Sequence, residues 1–120
     1  SHDPTLIAAF EHIVREKQRQ YDSRNTISAK VRQILLSVFH GQITNIDVIA
    51  DSLFMTTRTL QRKLAEEKTS YREICNSLRR DLTTDLLKAG KTNKAQVASM
   101  LGYHDTSSFN KAFRSWKNGN

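Results

Sequence analysis

The residue pattern predicts an all-α chain, and three observations carry that prediction. Apolar residues recur at the three- and four-residue intervals of an amphipathic helix through most of the length. A single proline, Pro4, and four glycines leave long stretches without a breaker. Short polar residues suited to helix starts stand ahead of the apolar repeats. Strand signals are weak, since the run Ile34-Leu35-Leu36 sits inside a helical repeat.

Asp3-Pro4 reads as N-cap and first helical residue. Leu6, Ile7, Phe10, Ile13, Val14 and Tyr21 follow at helical spacing, so a helix is expected from Pro4 to Tyr21. Asp22-Ser23-Arg24-Asn25 is a polar break. The next helix begins near Thr26 and buries Ile27, Val31, Ile34, Leu35, Val38 and Phe39, with Gly41 as its left-handed terminator. Thr44-Asn45 caps a short helix holding Ile46, Ile49, Ala50 and Leu53, and Phe54-Met55 makes a tight turn. Thr56 caps another helix with Leu60 and Leu64 inward. Ser70 and Glu73 have capping-box spacing and open a long helix through Ile74, Leu78, Leu82, Leu86 and Leu87, stopped at Gly90. Asn93 caps a short helix with Val97, Ala98 and Leu101 inward, and Gly102-Tyr103 is its turn. Asp105 caps a last helix carrying Phe109, Phe113 and Trp116.

A length of 120 residues suits one domain, or two small lobes sharing a helix, and leaves little room for a deep catalytic pocket. No apolar run approaches the roughly 20 residues of a membrane span, and no secretory signal opens the chain. Ser1-His2 reads as a cloning remnant. The single cysteine, Cys75, excludes an intramolecular disulfide and fits a reducing cytoplasm as a buried or half-buried thiol. Its neighbours Arg72 and Arg79 are the only hint of a redox role. His2, His12, His40 and His104 have no ligand spacing among themselves or with Cys75, so no metal site is expected. His104 falls in the last turn, where contact with a backbone phosphate and a structural role are equally open. No phosphate loop, nucleophile elbow or carboxylate pair stands out, so neither catalysis nor a cofactor is expected.

Charge is lopsided. Residues 1–55 balance six Lys/Arg against six Asp/Glu, whereas residues 56–120 carry thirteen against six, which accounts for the net +7. Such a surface attracts polyanions through Coulomb steering and counterion release, and nucleic acid leads the candidates. A solvated basic face is the alternative on charge alone.

The chain also contains a repeat. Thr44-Asn45, Ile49-Ala50 and Leu53 match Thr92-Asn93, Val97-Ala98 and Leu101 at an offset of 48. Leu60 and Leu64 then match Phe109 and Phe113 at an offset of 49, as if the second turn holds one extra residue. Each copy is a short helix, a tight turn and a second helix, with an alanine where the helices cross. That is the layout of a helix-turn-helix, whose second helix reads base edges in the major groove. The inward Leu60 and Leu64 leave Thr57, Arg58, Gln61 and Arg62 outward. The inward Phe109 and Phe113 leave Thr106, Ser107, Asn110, Lys111 and Arg114 available. Arg and Lys bond guanine, and Gln and Asn bond adenine, which makes these residues candidate readers. Ser107 and Ser108 stand near a helix start, where capping is the competing role. Lys63, Lys68, Arg72 and Lys117 suit phosphates better, and the helix starts at Asn45 and Asn93 offer backbone amides to phosphates.

These residues resemble the AraC/XylS family of bacterial transcription regulators. The resemblance rests on residues 50–64 (ADSLFMTTRTLQRKL), on Val97 to Tyr103 (VASMLGY) and on Ser108 to Trp116 (SFNKAFRSW). Gly102, Phe109, Ala112, Phe113 and Gly119 fall in place, as do Arg79 and Leu86-Leu87 on the linking helix. Coverage runs from about Val31 to Gly119. The resemblance implies an N-terminal connecting helix over 1–25, a first helix-turn-helix lobe over 26–69, a linker helix over 70–90 and a second lobe over 91–120. It implies base readers at Arg58, Gln61 and Arg62, then at Ser107, Ser108, Asn110 and Lys111, in successive major grooves. Phosphate contacts are expected from Asn45, Thr57, Lys63, Lys68, Arg72, Asn93, Lys94, Thr106, Arg114 and Lys117.

The sequence departs from the family in three places. Phe54 stands where a small turn residue is frequent, so a looser first turn is expected. Lys94 takes a place usually apolar, which would loosen its helix or supply a phosphate contact. The chain stops at Asn120, before a short proline-containing tail, and reads as a fragment of a longer regulator with an upstream sensing or dimerising domain. The expected partner is double-stranded promoter DNA in the bacterial nucleoid, where the protein recruits RNA polymerase as an activator or hinders it. Two rivals remain. A helical interaction module would pair copies, or dock polymerase, through the apolar face of Leu6, Phe10, Ile13 and Val14. A binder of single-stranded or structured RNA would need aromatics on the exposed faces, and none is expected there.

Overall fold

Helices start in this chain where a short polar side chain can satisfy a free amide. The computed structural model describes residues 3–38, 44–90 and 92–118. They form α1 (Pro4–Tyr21), α2 (Ile27–Ser37), α3 (Ile46–Ser52), α4 (Thr57–Glu66), α5 (Tyr71–Lys88), α6 (Lys94–Met100) and α7 (Thr106–Lys117). No strand occurs among the described residues, and no helix there is long and apolar enough to cross a membrane. Asp3, Thr26, Asn45, Thr56, Ser70, Asn93 and Asp105 each accept from an amide in the first turn that follows. The sequence places six of these caps outright and puts the second helix start near Thr26. Phe39, Gly41 and Gly119 lie outside the described residues.

One expected cap differs. Ser70 accepts from the Glu73 amide, but the Glu73 carboxylate accepts from the Thr69 hydroxyl at 3.2 Å instead of closing the box. The box with both arms formed is Asn93 with Gln96. A long-range cap also appears: Glu67, just past α4, accepts from the Ile27 and Ser28 amides at 2.8 and 2.9 Å. It thereby pins the start of α2, placing a carboxylate on the positive end of that helix. Partial burial pushes its carboxyl upward, yet the bonds from Ser28 and Ile27 outweigh this and hold it below the usual carboxylate value.

A depressed carboxyl stabilises the fold fully above the unfolded value and loses that contribution as pH falls through the folded one. Glu67→Gln is therefore expected to lower Tm near pH 7. The gap from the parent should shrink as the pH is brought to about 3. Thermal melts across that range check this, and a gap independent of pH would assign the effect to packing.

α5 is the axis of the fold. Ile74, Leu78, Leu82 and Leu86 are fully buried along it, with α1, α2 and α6 packed around them. α3 packs on α4 and on α2, and α6 packs on α7, giving two small lobes on one core that runs from Leu6 to Phe109. The apolar face of α1 lies inside this core: Leu6 and Phe10 are buried, and Ile13 and Val14 pack against the cluster. The face through which the rival interaction module would pair copies is thus covered by the chain itself. Ile7 and Val38, expected inward, are exposed at the edge of α1 and the end of α2.

The two turns settle what Phe54 does. In α6 the Tyr103 amide donates to the Ala98 carbonyl and Gly102 sits at φ +79°. In α3 the Met55 amide donates to the Ala50 carbonyl and Phe54 sits at φ +57°. The hydrogen bonds match, so the first turn is as tight as the second. Phe54 adopts the left-handed geometry that glycine adopts freely, and its side chain is 97% exposed. Phe54→Gly is expected to raise stability by about 1 kcal/mol, the relieved left-handed strain less the added freedom of the unfolded chain. Urea unfolding measures it; a loss would mean that the ring makes a stabilising contact.

Candidate nucleic-acid interface

The outward faces of α4 and α7 follow from which residues the core takes. Leu60 and Leu64 are fully buried, and this turns Arg58, Gln61 and Arg62 to solvent. Phe109 is fully buried, Phe113 and Trp116 pack beside it, and Thr106, Ser107, Ser108, Lys111, Arg114 and Lys117 are exposed. Asn110 is half-buried. Ala50 and Ala98, at 1% and 3% exposure, let each short helix approach its partner closely. The extra residue of the second turn is His104: α4 is capped directly after Met55 at Thr56, whereas Tyr103 is followed by His104 before the cap at Asp105. The ring of His104 is exposed.

Several candidates are already engaged. Arg62 pairs with Glu66 at 3.0 Å along α4, with both side chains largely in solvent. The Thr57 hydroxyl donates to Asp47 at 2.5 Å, so a phosphate would have to compete with a carboxylate for it. The amide and hydroxyl of Ser108 both hydrogen-bond Asp105, and these bonds hold the Asp105 carboxyl below its usual value. Asn45 and Asn93 use their side chains as caps. Lys94 does not loosen α6, which begins at that residue; its ammonium lies 4.4 Å from the centre of the Phe113 ring. Among the described residues, Arg58, Lys111 and Arg114 pair with no carboxylate. Lys63 is half-buried, and Lys68, left-handed just past α4, is exposed.

Arg72 has a connecting position. Ser70, Tyr71 and Arg72 line a groove with Gln61 and Ala65 of α4. The same three residues line a second groove that reaches Tyr103 and Ala112 of the other lobe. The start of α5 therefore stands between the two candidate reading helices. Second-lobe contacts hold it there: Trp116 Nε1 donates to Asn76 at 3.2 Å, and the Arg79 guanidinium lies 5.0 Å from the Tyr103 ring centre. The Tyr71 hydroxyl donates to the Thr44 carbonyl ahead of α3. Burial pushes the Cys75 thiol up, against the opposing pull of Tyr71, Arg79 and Arg32, which disfavours a reactive thiolate.

The family whose model is described as "Helix-turn-helix domain" matches residues 49–119, more than half of the chain. The chain belongs to the AraC-type helix-turn-helix family. Its relatives include an uncharacterized HTH-type transcriptional regulator of Mycobacterium tuberculosis, 37% identical over 95 residues, which are 79% of this chain and 27% of that protein. The HTH-type transcriptional regulator VqsM of Pseudomonas aeruginosa is 32% identical over 84 residues, covering 70% of this chain and 26% of VqsM. Among solved structures, the transcriptional regulator CdpR of Pseudomonas aeruginosa matches with a TM-score of 0.63 and 38% identity, over 74% of this chain and 29% of CdpR. The matched part of this AraC-type chain spans from 26% to 37% of the length of these and other curated relatives.

Sequence reasoning missed the prior engagement of Thr57 and the platform that Phe113 makes, whereas the tie of Ser108 to the helix cap was the competing role it named. The Arg62–Glu66 pair was open to it, because residues four apart on a helix are neighbours.

Proposed function

We propose that this chain is the duplex-DNA-reading part of a bacterial transcription regulator, with α4 and α7 in successive major grooves. The observation that carries the reading is the repeat: two helix-turn-helix units, joined by one helix, each present a cationic face that the core leaves in solvent, with the amide of exposed Gln61 on the first and that of half-buried Asn110 at the edge of the second. Their common neighbour, the Ser70–Arg72 segment, supports a shared side of the molecule.

Base contacts fall to Arg58, Gln61 and Arg62 from the first lobe (26–69), and to Ser107, Asn110 and Lys111 from the second (91–120). Ser108 reads a base only by giving up its bond to Asp105. Arg72 sits on the linker helix (70–90) at the phosphates between the half-sites. Lys63, Lys68, Lys94, Thr106, Arg114 and Lys117 grip the flanking backbone, and Thr57 joins them if it leaves Asp47. At Asn45 and Asn93 the contact comes from amides that the caps leave free. The reading involves no catalysis. RNA polymerase is the proposed protein partner of the DNA-bound state, in the bacterial cytoplasm. Self-association through α1 is not part of it, because that helix buries its apolar face at home.

Fluorescence anisotropy tests the reading by titrating the chain into labelled duplex and into either single strand of the same sequence. Preference for the duplex, with log K falling by about 0.9 per phosphate neutralised for each unit of log salt, is the expected result. Equal affinity for the single strands would set the reading aside.

A further inference from the structure

The repeat shows where the two lobes are not alike. In the first lobe, Ile46 packs half-buried against the core, and Leu64 is fully buried within it. The equivalent positions of the second lobe hold Lys94 and Phe113. There a cation replaces an apolar residue at the first turn of a short helix. The Phe113 ring, flanked by Phe109 and Trp116 at centroid distances of 5.8 and 6.5 Å, stays half-buried. Two ammonium groups use that ring: Lys94 Nζ lies 4.4 Å from its centre, and Lys117 Nζ, from the last turn of α7, lies 5.6 Å away. Neither has a carboxylate partner among the described residues.

Two like charges on one aromatic ring repel each other, and a cation–π contact at an exposed site is worth only about 0.5–1 kcal/mol. An isoleucine, as in the first lobe, would stabilise this position better by burying apolar area on Phe113. The arrangement makes sense if a third, anionic group completes it. The ring then limits the wandering of two flexible side chains before the anion arrives, which lowers the ordering cost of binding.

We infer that Lys94 and Lys117 form a single two-ammonium clamp for the DNA backbone, with Phe113 as its positioning residue. The clamp deepens the duplex-binding reading and rests on it. Its ligand is the phosphodiester, so it acts on every sequence alike and contributes grip without base choice.

The test is a set of variants of the whole chain: Lys94→Ile, Lys117→Ala, their double and Phe113→Leu. Each is titrated against cognate and scrambled duplex over a range of salt, with a thermal melt of each. Lys94→Ile and Phe113→Leu copy the residues that the first lobe already carries, so folding is expected to survive, and Lys94→Ile should raise Tm. Each single lysine variant should lower affinity about three- to tenfold on both duplexes and reduce the salt slope by about 0.9. The double variant should fall well short of the product of the singles, the mark of groups acting as a unit. Phe113→Leu should weaken binding when both lysines are present and add nothing in the double lysine variant.

Multiplying losses together with a neutral Phe113→Leu would reduce the pair to two independent surface cations and overturn the clamp. An unchanged salt slope in the lysine variants would remove it from the interface. If the parent chain bound no duplex at all, the functional reading itself would fail, which is a separate outcome.

Discussion

Arg62→Ala is expected to cost about 1–3 kcal/mol on the cognate duplex, roughly 5- to 150-fold in affinity, and far less on a scrambled one. The side chain stands in solvent on the outward face of α4, opposite fully buried Leu60 and Leu64. Its present partner is Glu66 at 3.0 Å, four residues along the same helix. An exposed pair of that kind is worth about 0.3–0.5 kcal/mol, less than a bidentate contact with guanine, so the guanidinium gains by changing partner. Anisotropy titrations of both duplexes at one stated salt concentration provide the measurement. Equal losses on the two would move Arg62 from reading bases to gripping phosphates.

The second large effect concerns stability. Lys17 of α1 is a lysine on the buried face, with its side chain 10% exposed, and its ammonium meets Asp85 of α5 at 3.0 Å. The aspartate side chain is 35% exposed, so water screens the pair in part. Removing one partner of a buried pair strands the other charge, whereas replacing the cation by an apolar residue of similar volume does not. Asp85→Ala is expected to destabilise by about 1–3 kcal/mol, discounted for that exposure, and to lower Tm by roughly 4–12 °C. Lys17→Met should lie close to the parent. Equal losses in the two variants would mean that the aliphatic stem of Lys17, rather than its charge, holds α1 on α5.

Much of this fold is local, and the local part is readable in one dimension. Caps such as Asp3, Thr56 and Asp105 act within three residues of themselves, so residue type and spacing reveal them. The inward set Leu60, Leu64 and Phe109 follows from helical period, and the outward set Arg58, Arg62 and Lys111 follows by subtraction. What escaped the reading lies where distant segments meet. Glu67 caps α2 across some 40 residues of chain, a contact that no spacing rule contains. Phe54 showed its identity but not that the backbone would keep the glycine geometry around it. Lys17 follows Phe10, Ile13 and Val14 on the same stripe, but its partner Asp85 lies on another helix, which spacing does not reveal. At the interface, exposure and the Arg62–Glu66 pair within one helix were legible, whereas engagement between elements was not: Asp47 holds Thr57 from ten residues away, and Phe113 gathers lysines from two helices.

Selection of bound duplexes from a random library, at a stated salt concentration, bears most directly on the claim that α4 and α7 read DNA together. The account predicts a motif in two halves with centres about one helical turn apart, roughly 10 base pairs. Arg62→Ala should blur one half, and Lys111→Ala the other. A single undivided motif that survives both substitutions, or no enrichment over the starting library, would contradict it.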